Sequence, residues 1–431
     1  MAVLGKPGLA LGVLGALLVA TTLWASDTPP AESVRPPLNH VPSANCGECH
    51  QEIYQQWQGS MHAKSTALTD PIHGAVYRME AGDPTEEGVT HKVTKAFPVC
   101  LQCHAPIAAR DKTTKLDAKP MYAEGVNCVA CHTMTAFKGV VGEGGKPTLG
   151  ASAYEYSKDN LRGPEGVFNG KQPVKAPGGG DEPKVNAFTH RANAELFKTS
   201  DICLGCHQTM INPQKVAVCT VGDLLLGKEV KETKVKGKDV KETRDVVAPT
   251  CQSCHMPVLN GFASHEILGG HDPAKVRKSV ALSMYAEDKG SKLQATIILK
   301  NTLLHSMPSS APFRNMVLKV TALNDKGEVV WSNFKEDPDK EDPQSLLILK
   351  LLNNEGHPVM PPQATKLGAD SRLKPGEKRV LRYAVPAAGV KTIRAELFYN
   401  LITKAMLEKI GEQLPEELKK PALVGQAETV L

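Results

Sequence analysis

"CGECHQEIYQQWQGSMH", residues 46–62, sets two cysteines and a histidine in one pentapeptide and places a second histidine, His62, beyond a run of helix formers. Cys-x-x-Cys-His is the attachment signature of c-type haem. Cys46 and Cys49 can form thioethers with the two vinyl groups of one porphyrin, and His50 then lies under the iron as its proximal ligand. One copy would equally suit a zinc knuckle or a disulfide. This chain has five: CGECH at 46–50, CLQCH at 100–104, CVACH at 128–132, CLGCH at 203–207 and CQSCH at 251–255. Composition alone would give on the order of 0.01 such pentapeptides. Zinc uses Cys-x-x-Cys pairs without a histidine directly after each, so the fivefold recurrence sets the metal-knuckle reading aside.

The attachment thiols are therefore Cys46, Cys49, Cys100, Cys103, Cys128, Cys131, Cys203, Cys206, Cys251 and Cys254, and the proximal ligands are His50, His104, His132, His207 and His255. They predict five covalent haems c. Cys219, the remaining one of 11 cysteines, sits in the apolar run "KVAVCTV" and reads as a small buried hydrophobe. Only 5% of the residues are aromatic, few for a chain of 431 that must bury a core. Porphyrin plates resolve the shortage, because each buries apolar surface that side chains would otherwise supply.

The apoprotein carries a net charge of +5 with lysine and glutamate intermixed, so nucleic acid is not indicated. Five haems bring about ten propionates, which makes the holoprotein near neutral or mildly acidic. Residues 1–26 hold one lysine, an apolar stretch and then small residues, the pattern of a secretory signal with cleavage near Ala25. The stretch approaches the about 20 residues that span a bilayer, which keeps an uncleaved membrane anchor as the alternative. Either way the remainder is expected across the inner membrane, in the periplasm or at the extracellular face.

The expected organisation is a proline-rich lead over 27–44, a pentahaem domain over 45–272 and a β-domain over 273–431. The haem domain should be α plus irregular, with short helices at or just after most motifs, many loops and a haem-packed core. Gly/Pro stretches such as "VVGEGGKPTLG" (140–150) are loops. Residues 226–245, with Val-Lys-Glu-Thr repeated and balanced charge, are expected to be a solvated excursion. After His271, "KLQATIILK", "FRNMVLKVTAL", "GEVVWSNF", "KRVLRYAVP" and "KTIRAELFYNL" alternate or cluster apolar residues at strand length, with turn signals between. They predict an all-β, sandwich-like unit without haem motifs. The short chain segment between His104 and Cys128 predicts that the second and third haems form a stacked pair.

If a helix ran unbroken from His50 to His62, the two would lie about 18 Å apart along its axis. They could not then face each other across one iron, so His62 as a distal ligand would serve a different haem. The Trp57-x-x-Ser60-x-His62 pattern after a haem motif resembles that of multihaem cytochromes c related to the tetrahaem electron carriers of ammonia oxidisers. "CQSCHMP" (251–257), "SHEILGGHD" (264–272) and "NTLLHSMPSSAPFRNMVLKV" (301–320) are similar to stretches of larger relatives ending in a β-domain. The resemblance covers roughly 40–415 and implies mostly bis-histidine irons. It implies His62, His190, His265, His271 and His305 as distal ligands, with His40 and His91 in reserve and His73 and His357 as surface residues. His305 would come from the β-domain, at the end of the strand "KLQATIILK".

The function these readings predict is a periplasmic or cell-surface electron carrier that exchanges electrons with partner proteins, of the quinol-oxidase or periplasmic-reductase type. A reductase or dehydrogenase for a small nitrogen or sulfur compound would need one iron with an open face. No Cys-x-x-Cys-Lys attachment is present, and spare histidines are plentiful, which favours the carrier. A homo-oligomer, stacked into a conducting filament, is the third reading.

Overall fold

The computed structural model describes residues 36–165, 188–221 and 249–431, together with the backbone of two strands within 228–245. The expected signal or anchor at 1–26 lies outside the described residues. Pro37–Leu431 form one compact unit. No helix among the described residues is long and apolar enough to cross a membrane.

The motifs themselves are helical. Ser43–Gly47, Leu101–His104, Cys128–His132 and Cys251–His255 are each about one turn and Asp201–His207 about two, all too short to persist without tertiary support. Local caps start two of them: the Asn127 side chain accepts from Ala130 N at 2.9 Å, and Thr250 Oγ1 accepts from Ser253 N. The variable positions inside the motifs are chosen by packing. At Gly205 an added Cβ would stand 2.3 Å from the Tyr154 ring. The Tyr154 hydroxyl accepts from Gly205 N at 2.8 Å and donates to Ile202 O at 2.9 Å, so a side chain there would break the fit.

The helix Gln51–Gly59 that follows the first motif stops before His62, because Ser60 is extended (φ −75°, ψ 160°). The helix Pro71–Glu80 is set by Asp70, whose carboxylate accepts from Ile72 N and His73 N, and by proline at its first turn. Small two-stranded sheets fill the remainder of this half; the parallel pair Leu161–Gly163 with His190–Ala192 places His190.

Within the expected excursion at 226–245, two strands are described. Lys228–Val235 and Lys238–Asp245 pair as an antiparallel hairpin, in register Val230↔Thr243, Lys231↔Glu242, Glu232↔Lys241 and Thr233↔Val240. The two copies of Val-Lys-Glu-Thr are complementary when run antiparallel: β-branched positions meet each other and lysine positions meet glutamate positions.

C-terminally, Val280–Asp288, Lys292–Asn301 and Lys378–Pro386 form a three-stranded antiparallel sheet. A second antiparallel sheet centres on Asn315–Leu323, flanked by Thr392–Asn400 on one side and by Val329–Ser332 and Leu346–Leu347 on the other, with Ala422–Val430 outermost. Alternation decides the faces: Ile393, Ala395, Leu397 and Tyr399 are buried along one strand, and Leu381, Tyr383 and Val385 along another. These residues meet in a single core with Leu293, Ile297 and Leu299. The helix Lys404–Ile410 then reaches across to the haem half, where Met406 and Ile410 pack with Ile72 and Ala75 of Pro71–Glu80.

Candidate functional site: a histidine-lined cavity

One cavity of about 2250 Å³ is lined by all ten motif cysteines and all five motif histidines. Pockets for a single ligand run to about 300–1,000 Å³, so this space suits several large groups together. His62, His73, His91, His190, His265, His271 and His305 line it as well.

Three histidines outside the motifs stand opposite a motif histidine at closely similar separations. Ring centres are 6.2 Å apart for His50 and His190, 6.0 Å for His207 and His62, and 6.3 Å for His132 and His265. A metal bonded at about 2 Å to a nitrogen of each ring, with about 1 Å more from nitrogen to ring centre, needs roughly 6 Å. The residues therefore fit a bis-imidazole metal between each pair. His305 lies near enough to His255 for their charges to interact. His271 shares the neighbours Arg314 and Asp70 with His104.

The tautomers are set by backbone carbonyls, which can only accept. Nδ1 of His132 faces Arg162 O at 2.6 Å, Nδ1 of His255 faces Leu268 O at 2.7 Å, Nδ1 of His265 faces Ala263 O at 2.8 Å and Nδ1 of His305 faces Ser306 O at 3.0 Å. Each Nδ1 must carry the proton, and Nε2 keeps its lone pair for a metal. Burial also lowers the basicity of His62, His132 and His271 to a pKa of about 4 and of His207 to about 3, which keeps these rings neutral as ligation requires.

The thiols meet across motifs. Cys46 lies beside Cys128, Cys206 beside Cys103 and Cys203 beside Cys251. Contacts thus run from the first motif to the third, from the second to the fourth and from the fourth to the fifth.

The reserve histidines are otherwise engaged. His91 Nδ1 accepts from Val93 N at 3.2 Å and Thr94 N at 3.1 Å, leaving its proton on Nε2, which lies 3.2 Å from Glu80 Oε2 without hydrogen-bond geometry. His40 pairs with Asp111 and is not among the residues that line the cavity. His357 is exposed, as expected. His73 is a correction: it is buried rather than at the surface, because the Asp70-capped helix turns it inward against His104. Its only sequence signal is the Asp-Pro helix start at 70–71, with His73, Tyr77 and Glu80 on one face. Sequence reasoning also missed Arg314 and Tyr399, hydrogen-bonded to each other on the cavity wall. Cys219 lies on that wall too, and burial raises its thiol to about 11, so it stays protonated.

The profile of the cytochrome c554 and c-prime family matches residues 45–133. Among solved structures, a crystal structure of a penta-haem cytochrome c552 from Thermochromatium tepidum is 43% identical, with a TM-score of 0.81, over 92% of this chain and 100% of that one. No curated protein matches.

Proposed function

The chain belongs to the penta-haem cytochromes c552, and from that premise we propose that it is a periplasmic carrier holding five covalent haems c, each with two histidine ligands. That it is a multihaem electron-transfer cytochrome follows from the family. Bound haem supplies one-electron exchange, at a potential set by its axial ligands and surroundings.

The chain's own residues do the remainder. The ten motif cysteines tether, and the five motif histidines ligate from one side. His190, His62 and His265 would hold haem together with His50, His207 and His132, His305 would do so with His255, and His271 with His104. Carbonyl anchors at Nδ1 hold the rings in the ligating tautomer. Redox partner proteins would supply and withdraw the electrons. We read the C-terminal half as a sandwich on the support of its single core, fed by both sheets. Its role would be to present His305 and to brace the cavity.

The observation that carries this reading is the set of three motif/non-motif histidine pairs at 6.0–6.3 Å. Pyridine haemochrome analysis with low-temperature EPR of the oxidised holoprotein tests it. Five haems, all low-spin, are expected; fewer haems, or a high-spin signal of one-haem intensity, would overturn it. Cell fractionation checks the periplasmic assignment.

A further inference from the structure

Beneath the second motif, two imidazoles share one backbone acceptor. Ser65 O stands 3.0 Å from Nδ1 of His104 and 2.8 Å from Nδ1 of His73. Since a carbonyl only accepts, both rings carry their proton on Nδ1. The rings lie alongside each other, with centres 3.9 Å apart and planes inclined at 34°. Two imidazoles trans across one metal would hold their Nδ1 atoms about 8 Å apart, beyond the reach of a single oxygen. His73 is therefore beside the proximal ligand, not its distal partner.

The surroundings fix this arrangement. Ser65 Oγ donates to His104 O at 2.9 Å and contacts His62 O at 3.1 Å, which holds the shared carbonyl in place. Asp70 caps the helix that carries His73, and Gly74 lets that helix approach Ala67 O, where a Cβ would come within 2.6 Å. His73 Nε2 is buried without a hydrogen-bond partner among the described residues. A leucine or phenylalanine would fill the same place without that orphaned nitrogen. What the imidazole adds over them is the Nδ1 proton directed at Ser65 O.

We propose that His73 sets the redox potential of the haem at the second motif by competing with His104 for the Ser65 carbonyl. The proposal rests on the reading that His104 ligates a haem there. A proximal imidazole that donates Nδ1–H to an undivided acceptor is a more basic ligand at Nε2 and favours the oxidised metal. Dividing the acceptor between two donors weakens that effect, so His73 holds this centre at a higher potential than its ligands alone would give. His73 is a positioning residue that acts through His104.

The experiment is a spectroelectrochemical titration, with EPR, of the holoprotein and of the His73→Phe and His73→Asn variants. His73→Phe removes the competing donor: one of the five one-electron steps should move to lower potential, with haem count and low-spin signals unchanged. His73→Asn can keep an N–H on Ser65 O and should titrate like the parent. If His73→Phe does not accumulate, His73→Leu carries the same test. Unmoved steps in His73→Phe would overturn the proposal. An equal shift in His73→Asn would also overturn it, by assigning the effect to packing. A new high-spin signal would do so by making His73 an axial ligand. A parent protein with fewer than five haems would instead remove the underlying reading, and the haemochrome count detects that separately.

Discussion

From Val280 onward, the inward side chains of two sheets touch one another: Ile297, Leu318, Ile393 and Leu397 are fully buried in a core of aliphatic contacts. Before Ser279, many inward side chains face a cavity of about 2250 Å³ instead, and the helices around it are mostly single turns. Some aliphatic packing exists there too, around Leu101, Ile107 and Leu116, and its members Tyr77 and Leu161 line the cavity. A half built around such a cavity is expected to need bound haem in order to fold. A half whose interior is protein is expected to fold without it.

The sharpest way to break the comparison is to withhold haem. Expressed without cytochrome c maturation, the chain should lose the fold of its first half while keeping a protease-resistant β fragment that begins near residue 280. Limited proteolysis with mass spectrometry reads the boundary. A resistant fragment spanning the motifs would show that the first half holds itself up.

The reverse asymmetry follows from truncating the β core. Leu397→Ala opens a cavity where nothing else is available to fill it and should cost about 2–5 kcal/mol in denaturant unfolding. Haem content, spin state and potentials should be those of the parent. Any change in them would mean that the β core reports directly into the haem cavity.

His305→Ala tests the joint between the halves. Its ring is presented by the turn after Lys292–Asn301, where Asn301 Nδ2 donates to His305 O at 2.9 Å. The variant should keep five haems and convert one to high spin. Its loss of stability should be smaller than that of Leu397→Ala, because Met406 and Ile410 still bind the halves through Ile72 and Ala75. An unchanged EPR spectrum would remove His305 from the ligand set.

The same contrast governs what was legible in the sequence. Strands with their own alternation could be read, as Thr392–Asn400 and Lys378–Pro386 were. Val280–Asp288 and Ala422–Val430 escaped because exposed Tyr285, Glu287, Gln426 and Glu428 dilute their patterns, and pairing with neighbouring strands makes them strands. In the haem half the covalent chemistry was legible, since Cys-x-x-Cys-His is local. Which motif meets which was not: thiol contacts between first and third, second and fourth, and fourth and fifth depend on packing around space the sequence does not describe. His73 escaped for the same reason, its two partners being a carbonyl and a ring from other segments.

The smallest expected effect belongs to a histidine that takes no part in either core. His40 pairs with Asp111, whose carboxylate also accepts from Tyr122 Oη at 2.7 Å and Asn39 Nδ2 at 3.2 Å. Both partners are 23% exposed, so water can replace much of what His40→Ala removes, and the loss should be about 0.5–1 kcal/mol. Partial burial pushes the Asp111 pKa up, but the hydrogen bonds from Tyr122 and His40 outweigh it and leave the net value below the ordinary one. A carboxyl whose pKa is depressed by folding contributes stability that is fully present above its unfolded pKa of about 4 and is lost as pH falls through the folded value. With His40 gone the depression shrinks, so the acid limb of the stability profile should be smaller and end at a higher pH, while haem spin states stay as in the parent. Denaturant midpoints measured between pH 3 and 7 resolve the shift. A change of spin state in His40→Ala would instead bring that residue into the haem cavity, against its pairing with Asp111.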